Sequence, residues 1–318
     1  MKLNDIDFLE GPNGGLMTWH ERPIHAAQYT CTPIGAAYDC RQAIVMQGAL
    51  VTDLDFTLQT IKLYRRLHPD ALIVLSTWAD QSPELLQQAL EMGVLVVTNE
   101  KPEYMGQQNV NLQIVSSSAG LNAAKKAGAT YALKTRTDQR LCATDILEYL
   151  HGIQRIFPLD QVGAQQQRLV AVSLNTFRYR IYGISDMFLY GQIDDMLAYW
   201  SPPLDERRFD QDALHFRTLR EFSLWRVCEV YFCTEFLQRT GWDIKWTLED
   251  YWRMLITRFC VIDASSLDLF WPKYSNRENR WNNYGLESSN FTELSFRDWT
   301  TMFAGMNYIR HIPEERLG

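Results

Sequence analysis

The chain has 318 residues, enough for one large α/β domain or two modest ones. Hydrophobic residues make up 46% and charged residues 22%, which excludes a disordered chain. Thirty-one Lys and Arg against 38 Asp and Glu give a formal charge of −7, so the expected partners include no nucleic acid, whose binders need a basic face.

Residues 1–40 show no clear period and read as an irregular extension. Their start, MKLNDIDFLEGPNGG, holds no apolar core of signal-peptide length. No run in the chain reaches the ~18 apolar residues of a membrane span. The expectation is a cytoplasmic protein, with peripheral association at the inner face of the membrane left open.

Regular structure starts at Ala43-Ile44-Val45-Met46, an apolar strand that meets a turn at Gln47-Gly48. Leu58, Ile61, Tyr64 and Leu67 recur at helical spacing, and Pro69-Asp70 ends that helix. A second strand over 71–75 is closed by Ser76-Thr77-Trp78. Ser82 caps the next helix, with Pro83 at its first position and Gly93 beyond its end. A strand over 94–97, a helix over 111–126 and a strand over 131–134 follow. Strands that are apolar throughout and separated by helices predict a parallel sheet covered on both faces.

After residue 140, Thr144 is expected to cap a short helix through Leu150. Strands are predicted over 169–173 and 186–190, and helices over 194–200, 224–238 and 248–259. The last fifty or so residues are aromatic and polar, with little period. The predicted organisation is an extension (1–40), a sheet domain (41–264) and an arm packed on it (265–318). The six cysteines form no C-x-x-C and the six histidines no H-E-x-x-H, which argues against a zinc site.

An open parallel sheet binds ligands beyond the carboxyl ends of its strands. The residues predicted there are Gln47 and Gly48, then Ser76, Thr77 and Trp78, then Lys134 through Arg140. The first two groups suit a nucleotide or are ordinary polar turns. The third is sharper, because Lys134, Arg136 and Arg140 surround Asp138 directly after a strand. Such cations neutralise phosphates, Arg with two parallel hydrogen bonds, and the carboxylate suits a divalent metal on a diphosphate. The alternative is a solvated charged turn. G-x-G-x-x-G and G-x-x-x-x-G-K-[ST] are both missing, which leaves sugar-nucleotide binding as the remaining common use of such a sheet.

Several segments stand out together: Val45-Met46-Gln47-Gly48 with Thr57-Leu58-Gln59-Thr60-Ile61, Leu75-Ser76-Thr77-Trp78, Leu133 through Arg140, and Tyr182-Gly183-Ile184-Ser185-Asp186-Met187-Phe188. Glu229-Val230-Tyr231 and Phe270-Trp271-Pro272-Lys273-Tyr274 with Arg277-Glu278 follow. In these segments the chain resembles the WavE family of bacterial lipopolysaccharide-synthesis proteins. The resemblance implies a GT-A-like α/β fold, a mostly parallel sheet flanked by helices, with a helical and aromatic-rich C-terminal elaboration. It implies a glycosyltransferase moving a sugar from a nucleotide-sugar donor to a lipopolysaccharide or capsule acceptor, a glycan or lipid-linked glycan. A non-catalytic sugar- or nucleotide-binding scaffold of an assembly complex is the rival.

That class normally carries Asp-x-Asp, which holds Mn²⁺ or Mg²⁺ on the donor diphosphate. Here Arg136-Thr137-Asp138 stands in its place. Asp138 is then either a lone metal ligand or, with no metal, a partner of the donor ribose or sugar while Lys134, Arg136 and Arg140 meet the phosphates. Asp53/Asp55 read more simply as a helix cap and Asp210/Asp212 as a charged loop. Sugar transfer with inversion needs a carboxylate base. Asp186, at the start of a predicted apolar strand, and Glu229, inside an apolar helix, are the candidates, with Glu229 favoured by its place in the chain. Their alternatives are a cap or buried ion pair for Asp186 and a salt bridge to Arg226 for Glu229. Lys273, Tyr274 and Arg277 are expected to bring cations and a stacking face to the donor, unless that stretch only packs as an arm.

Overall fold

The computed structural model describes residues 8–10, 16–18, 24–28, 40–160, 163–208, 216–271, 292–306 and 311–318. Within the extension, β1 (Phe8–Glu10) and β2 (Leu16–Thr18) pair antiparallel, a small sheet that three-residue strands are too short to announce by period. The main sheet has seven strands: β3 (Gln42–Gln47), β4 (Leu72–Trp78), β5 (Leu95–Asn99), β6 (Tyr131–Arg136), β8 (Leu169–Val172), β9 (Leu189–Gln192) and β10 (Phe259–Ile262). A short β7 (Arg140–Leu141) pairs instead with β11 (Leu269–Phe270).

The order is β10-β8-β9-β6-β3-β4-β5. All these strands run parallel except β9, which is antiparallel to β6 and β8. The expected α/β class, a mostly parallel sheet flanked by helices, is therefore the one observed. The helices are α1 (Phe56–Leu67), α2 (Pro83–Glu91), α3 (Val110–Lys126), α4 (Ile146–Ile156), α5 (Ile193–Trp200), α6 (Leu219–Leu224), α7 (Cys228–Arg239), α8 (Leu248–Arg258) and α9 (Phe296–Gly305). Right-handed crossovers put α1 and α2 on one face. The opposite crossover direction puts α3 on the other, where α5 and then α7 pack beside it.

Several boundaries differ from the sequence expectation, each for a local reason. Ser76, Thr77 and Trp78 belong to β4, because β5 extends to pair with them. Asn99 Nδ2 also donates to Ser76 Oγ at 3.0 Å and Thr77 O at 2.8 Å. The strand expected at Asp186 begins only at Leu189. The helix expected over 224–238 is two, broken where Arg226 takes a left-handed φ of 55° and Arg207 binds the exposed carbonyls of Trp225 and Arg226. Asp145, not Thr144, holds the N-cap position of α4, without a side-chain cap bond, and the helix runs on to Ile156. Residue 259, expected to end a helix, opens β10. The C-terminal stretch contains α9, started by a reciprocal capping box between Ser295 and Asp298.

The layer of α3 lies unusually close to the sheet. A Cβ on Gly120 would stand 2.6 Å from Val45 Cγ1 and 2.9 Å from Ser76 Cβ. Gly120→Ala is therefore expected to lose about 1–3 kcal/mol by overpacking, against the helix-propensity gain of about 1 kcal/mol that Ala brings. Urea unfolding measures the balance, and a net stabilised variant would refute the close contact.

Candidate functional site

A cleft of about 960 Å³ opens at the carboxyl ends of β3, β4 and β6. Gln47, Gly48 and Ala49 reach it from β3, Trp78 from β4 and Arg136 from β6. Because β9 runs against its neighbours, its beginning lies at this same end. The residues leading into it therefore deliver Asp186 to the cleft. The facing wall comes from residues 103–109, from Gln113 on α3, and from Cys228 and Glu229 in the first turn of α7.

The turn after β3 needs its glycine. Gly48 has φ +126°, and a Cβ there would lie 2.8 Å from Thr137 Oγ1. That hydroxyl donates to Ala49 O at 2.5 Å, while Gly48 N donates to Ser76 O at 3.1 Å and Thr57 Oγ1 to Thr137 O at 3.0 Å. The ends of β3, β4 and β6 are thus tied together beneath the cleft floor. Ser76 and Thr77 are buried in this tie, and of the Ser76-Thr77-Trp78 group Trp78 alone lines the cleft.

The cationic cluster of the sequence does not act as one group. Lys134 has no exposed surface. Its Nζ donates to Asp186 O at 2.6 Å and Gln113 Oε1 at 3.5 Å, and sits 3.9 Å over the Trp200 ring. Burial draws this ammonium down to about 7, with Asp186 pulling the other way. Arg140 turns away altogether. It donates to Thr60 Oγ1 at 3.0 Å, Phe56 O at 3.3 Å and Ile24 O at 3.1 Å, and lies over the Phe56 ring. Arg136 is the cation of this cluster that lines the cleft. It grips Asp138 through Nε at 2.8 Å and Nη2 at 2.9 Å. Burial opposes its charge, but the Asp138 pair outweighs this and raises its pKa further.

The two carboxylates sit in different settings. Asp186 Oδ2 accepts from Gln113 Nε2 at 2.5 Å and lies 3.7 Å from Cys228 Sγ. Glu229 occupies a helix first turn, where the dipole favours negative charge. Its Oε1 accepts from Asn175 Nδ2 and stands 3.5 Å from Arg180 Nη1. Arg180 is buried, bonds the Asn175 carbonyl and stacks over the Phe177 ring at 4.6 Å. Burial pushes the Glu229 carboxyl up, Arg180 pulls it back, and the nearby Asp186 charge pushes it up again; the net shift is upward. Arg226 does not pair with Glu229; it binds Glu235 at 2.8 Å instead. Burial, reinforced by Asp186, also keeps the Cys228 thiol protonated.

Gln113, Asn175 and Arg180 were absent from the sequence reading. Gln113 had one usable signal, a polar residue seven positions before Gly120 on the sheet-facing side of α3. Asn175 and Arg180 lie in a stretch without regular structure and had none.

The WavE lipopolysaccharide synthesis family model matches residues 43–310. The chain belongs to this family. Among curated proteins none matches it. Three solved structures share part of its shape. Core-mannan synthase A from Aspergillus fumigatus, in its Mn/GDP form, is 8% identical over 96% of this chain and 100% of its own, with a TM-score of 0.39. A mannosyltransferase from Pyrobaculum calidifontis in complex with GDP-Man and Mn²⁺ is 12% identical over 56% and 52%, at 0.35. A 4-diphosphocytidyl-2C-methyl-D-erythritol synthase is 11% identical over 52% and 81%, at 0.32.

In this WavE chain the residues do not fit a divalent metal at Asp138. Both carboxylate oxygens already face the Arg136 guanidinium, which repels a second cation. Among the described residues no three His, Cys, Asp or Glu gather around a common point. Asp55 holds the N-cap position of α1 without a side-chain cap bond, so the Asp53/Asp55 pair sits at the helix start but does not cap it. Asp210, Asp212, Lys273, Tyr274 and Arg277 lie outside the described residues. No described helix is long and apolar enough to cross a membrane.

Proposed function

We propose that this chain is a glycosyltransferase that moves a sugar from a nucleotide-activated donor to a glycan or lipid-linked glycan of a bacterial surface polysaccharide. The observation that carries the reading is the single cleft into which Arg136, Asp186 and Glu229 all open. Departure of a nucleoside diphosphate builds negative charge, and a fixed guanidinium stabilises it. Asp138 orients Arg136 for that task. Glu229, whose carboxyl burial pushes upward, takes the proton of the attacking hydroxyl. Asp186 raises that basicity by its charge, while Lys134 and Gln113 hold it in place. Trp78 offers a ring edge at the cleft, Gln47 a side-chain Oε1 without a protein partner, and Gly48 a position with no side chain in the way, to the nucleotide. Membrane association would follow from a lipid-linked acceptor.

Calorimetric titration of the intact protein with UDP-glucose, GDP-mannose and related donors in a chelator tests this. At least one donor should bind, and Arg136→Met should weaken it by about 1.5–3 kcal/mol, the worth of a charged hydrogen bond. If no donor binds either in the chelator or with added Mn²⁺, or the variant binds equally, the transferase reading fails.

A further inference from the structure

The cleft has a neighbour. A second chamber of about 580 Å³ lies between Pro102–Tyr104 and residues 203–208. The two share Glu103, Tyr104 and Arg208, so they meet along one wall.

That wall is built rigidly. Asn111 and Asp205 bond each other reciprocally, Nδ2 to Asp205 O at 2.9 Å and Asp205 N to Oδ1 at 2.7 Å. The Asp205 carboxylate accepts from Gln107 N at 3.2 Å and from Arg207 Nε at 2.8 Å. Burial opposes its ionisation, but these bonds outweigh that and hold its carboxyl below the usual range. On the side of the first cleft the backbone is left-handed at Gln108 and Asn109, conformations that ordinary residues hold only when their surroundings enforce them. The same tie holds Arg207 against the Trp225 and Arg226 carbonyls, and it gives the chamber a fixed shape that a ligand can fill.

The chamber's surface says which one. Tyr104 is 52% exposed and Leu204 49%, a flat ring and an aliphatic side chain open to solvent. Arg208 lies 5.4 Å over the Tyr104 ring. Asp205 is neutralised by Arg207, and the other charges among the described lining residues are Glu103 and Glu206 against Arg208. A net acidic chamber repels a diphosphate. Apolar faces beside carboxylates instead suit a pyranose, whose C–H face packs on a ring while its hydroxyls donate to carboxylates.

The geometry points to this chamber as the subsite for a neutral sugar of the acceptor glycan, next to the cleft that takes the donor. This rests on the transferase reading, and it assigns the acceptor's place. The test is a ligand-observed NMR titration of the intact protein with dephosphorylated core oligosaccharide released from lipopolysaccharide by mild acid, with saturating UDP or GDP present. The wild type should bind the oligosaccharide with nucleotide in place. Tyr104→Ala, which removes the ring, and Leu204→Trp, which fills the chamber from an exposed position, should each weaken binding about tenfold or more. The proposal falls if the oligosaccharide does not bind, if nucleotide displaces it, or if both variants stay within about twofold of wild type. The titration reads no turnover and uses no donor sugar. Its failure would leave the donor-binding test standing, and failure of that test would leave this one readable.

Discussion

Glu229→Gln should reduce sugar transfer by about 10² to 10⁴-fold while leaving donor affinity close to wild type, because it removes a proton acceptor and keeps the shape. The carboxamide oxygen can still accept from Asn175. The pH profile supplies the sharper measurement. In the wild type the rate should rise with pH through a midpoint above the ordinary glutamate value of about 4.3, since burial and Asp186 raise this carboxyl. Removing the Asp186 charge with Asp186→Asn should move that midpoint to lower pH, because ionising Glu229 no longer works against a neighbouring anion. A profile that stays put in Asp186→Asn, or a Glu229→Gln enzyme of near wild-type rate, would reassign the base. The same shift has a stability sign. The folded state holds this proton more tightly than the unfolded chain. Stability from this group is therefore present at low pH and declines as pH rises from about 4.3 through the raised value.

Arg180→Met should cost about 3–5 kcal/mol of folding stability, the penalty for leaving a buried charge without its partner. Arg180 is almost wholly buried and stands against Glu229, so the loss falls on a mostly buried carboxylate whose contact with water is limited to its edge on the cleft. The cost should shrink sharply when Glu229→Gln is added, since a neutral amide needs no counter-charge. Urea unfolding of the two single variants and the double variant closes the cycle. Strict additivity would show that the pair is not coupled, and a cost below about 1 kcal/mol for Arg180→Met would show that Glu229 is solvated or protonated by other means.

Much of the fold could be read from the chain because β3 and β4 are buried on both faces and so carry the apolar runs over 43–46 and 72–75, while β6 opens on Tyr131-Ala132-Leu133. The far half was harder. β9 and β10 have four residues each, and β10 follows α8 without a gap, so an apolar helix and an apolar strand merge into one run. At the site, position relative to a strand end was legible, which is why Gln47, Gly48, Trp78 and Arg136 fall on the cleft. Direction was not. Lys134 and Arg140 are near Arg136 in sequence, yet one points inward beneath Asp186 and the other toward α1. Charge in a cluster does not say where each side chain goes. Partners such as Asn175 and Arg180 are set by tertiary contact in irregular chain, which carries no periodic signal.

The late arrival of β10 has a consequence for how the molecule is made. β8 pairs with β10, and the two carboxylates of the cleft, Asp186 and Glu229, are strung between those two strands. Pairing β8 with β10, like pairing β3 with β6, closes a long loop and is entropically slow; the difference is that β3 to β6 are all synthesised before β8 begins. On a ribosome, the half built on β3 to β6 can therefore assemble while the half bearing Asp186 and Glu229 is still incomplete. During that interval β8 presents an unpaired edge. Synthesis rate and chaperone capture in that window, rather than final stability, would then set how much finished enzyme a cell obtains.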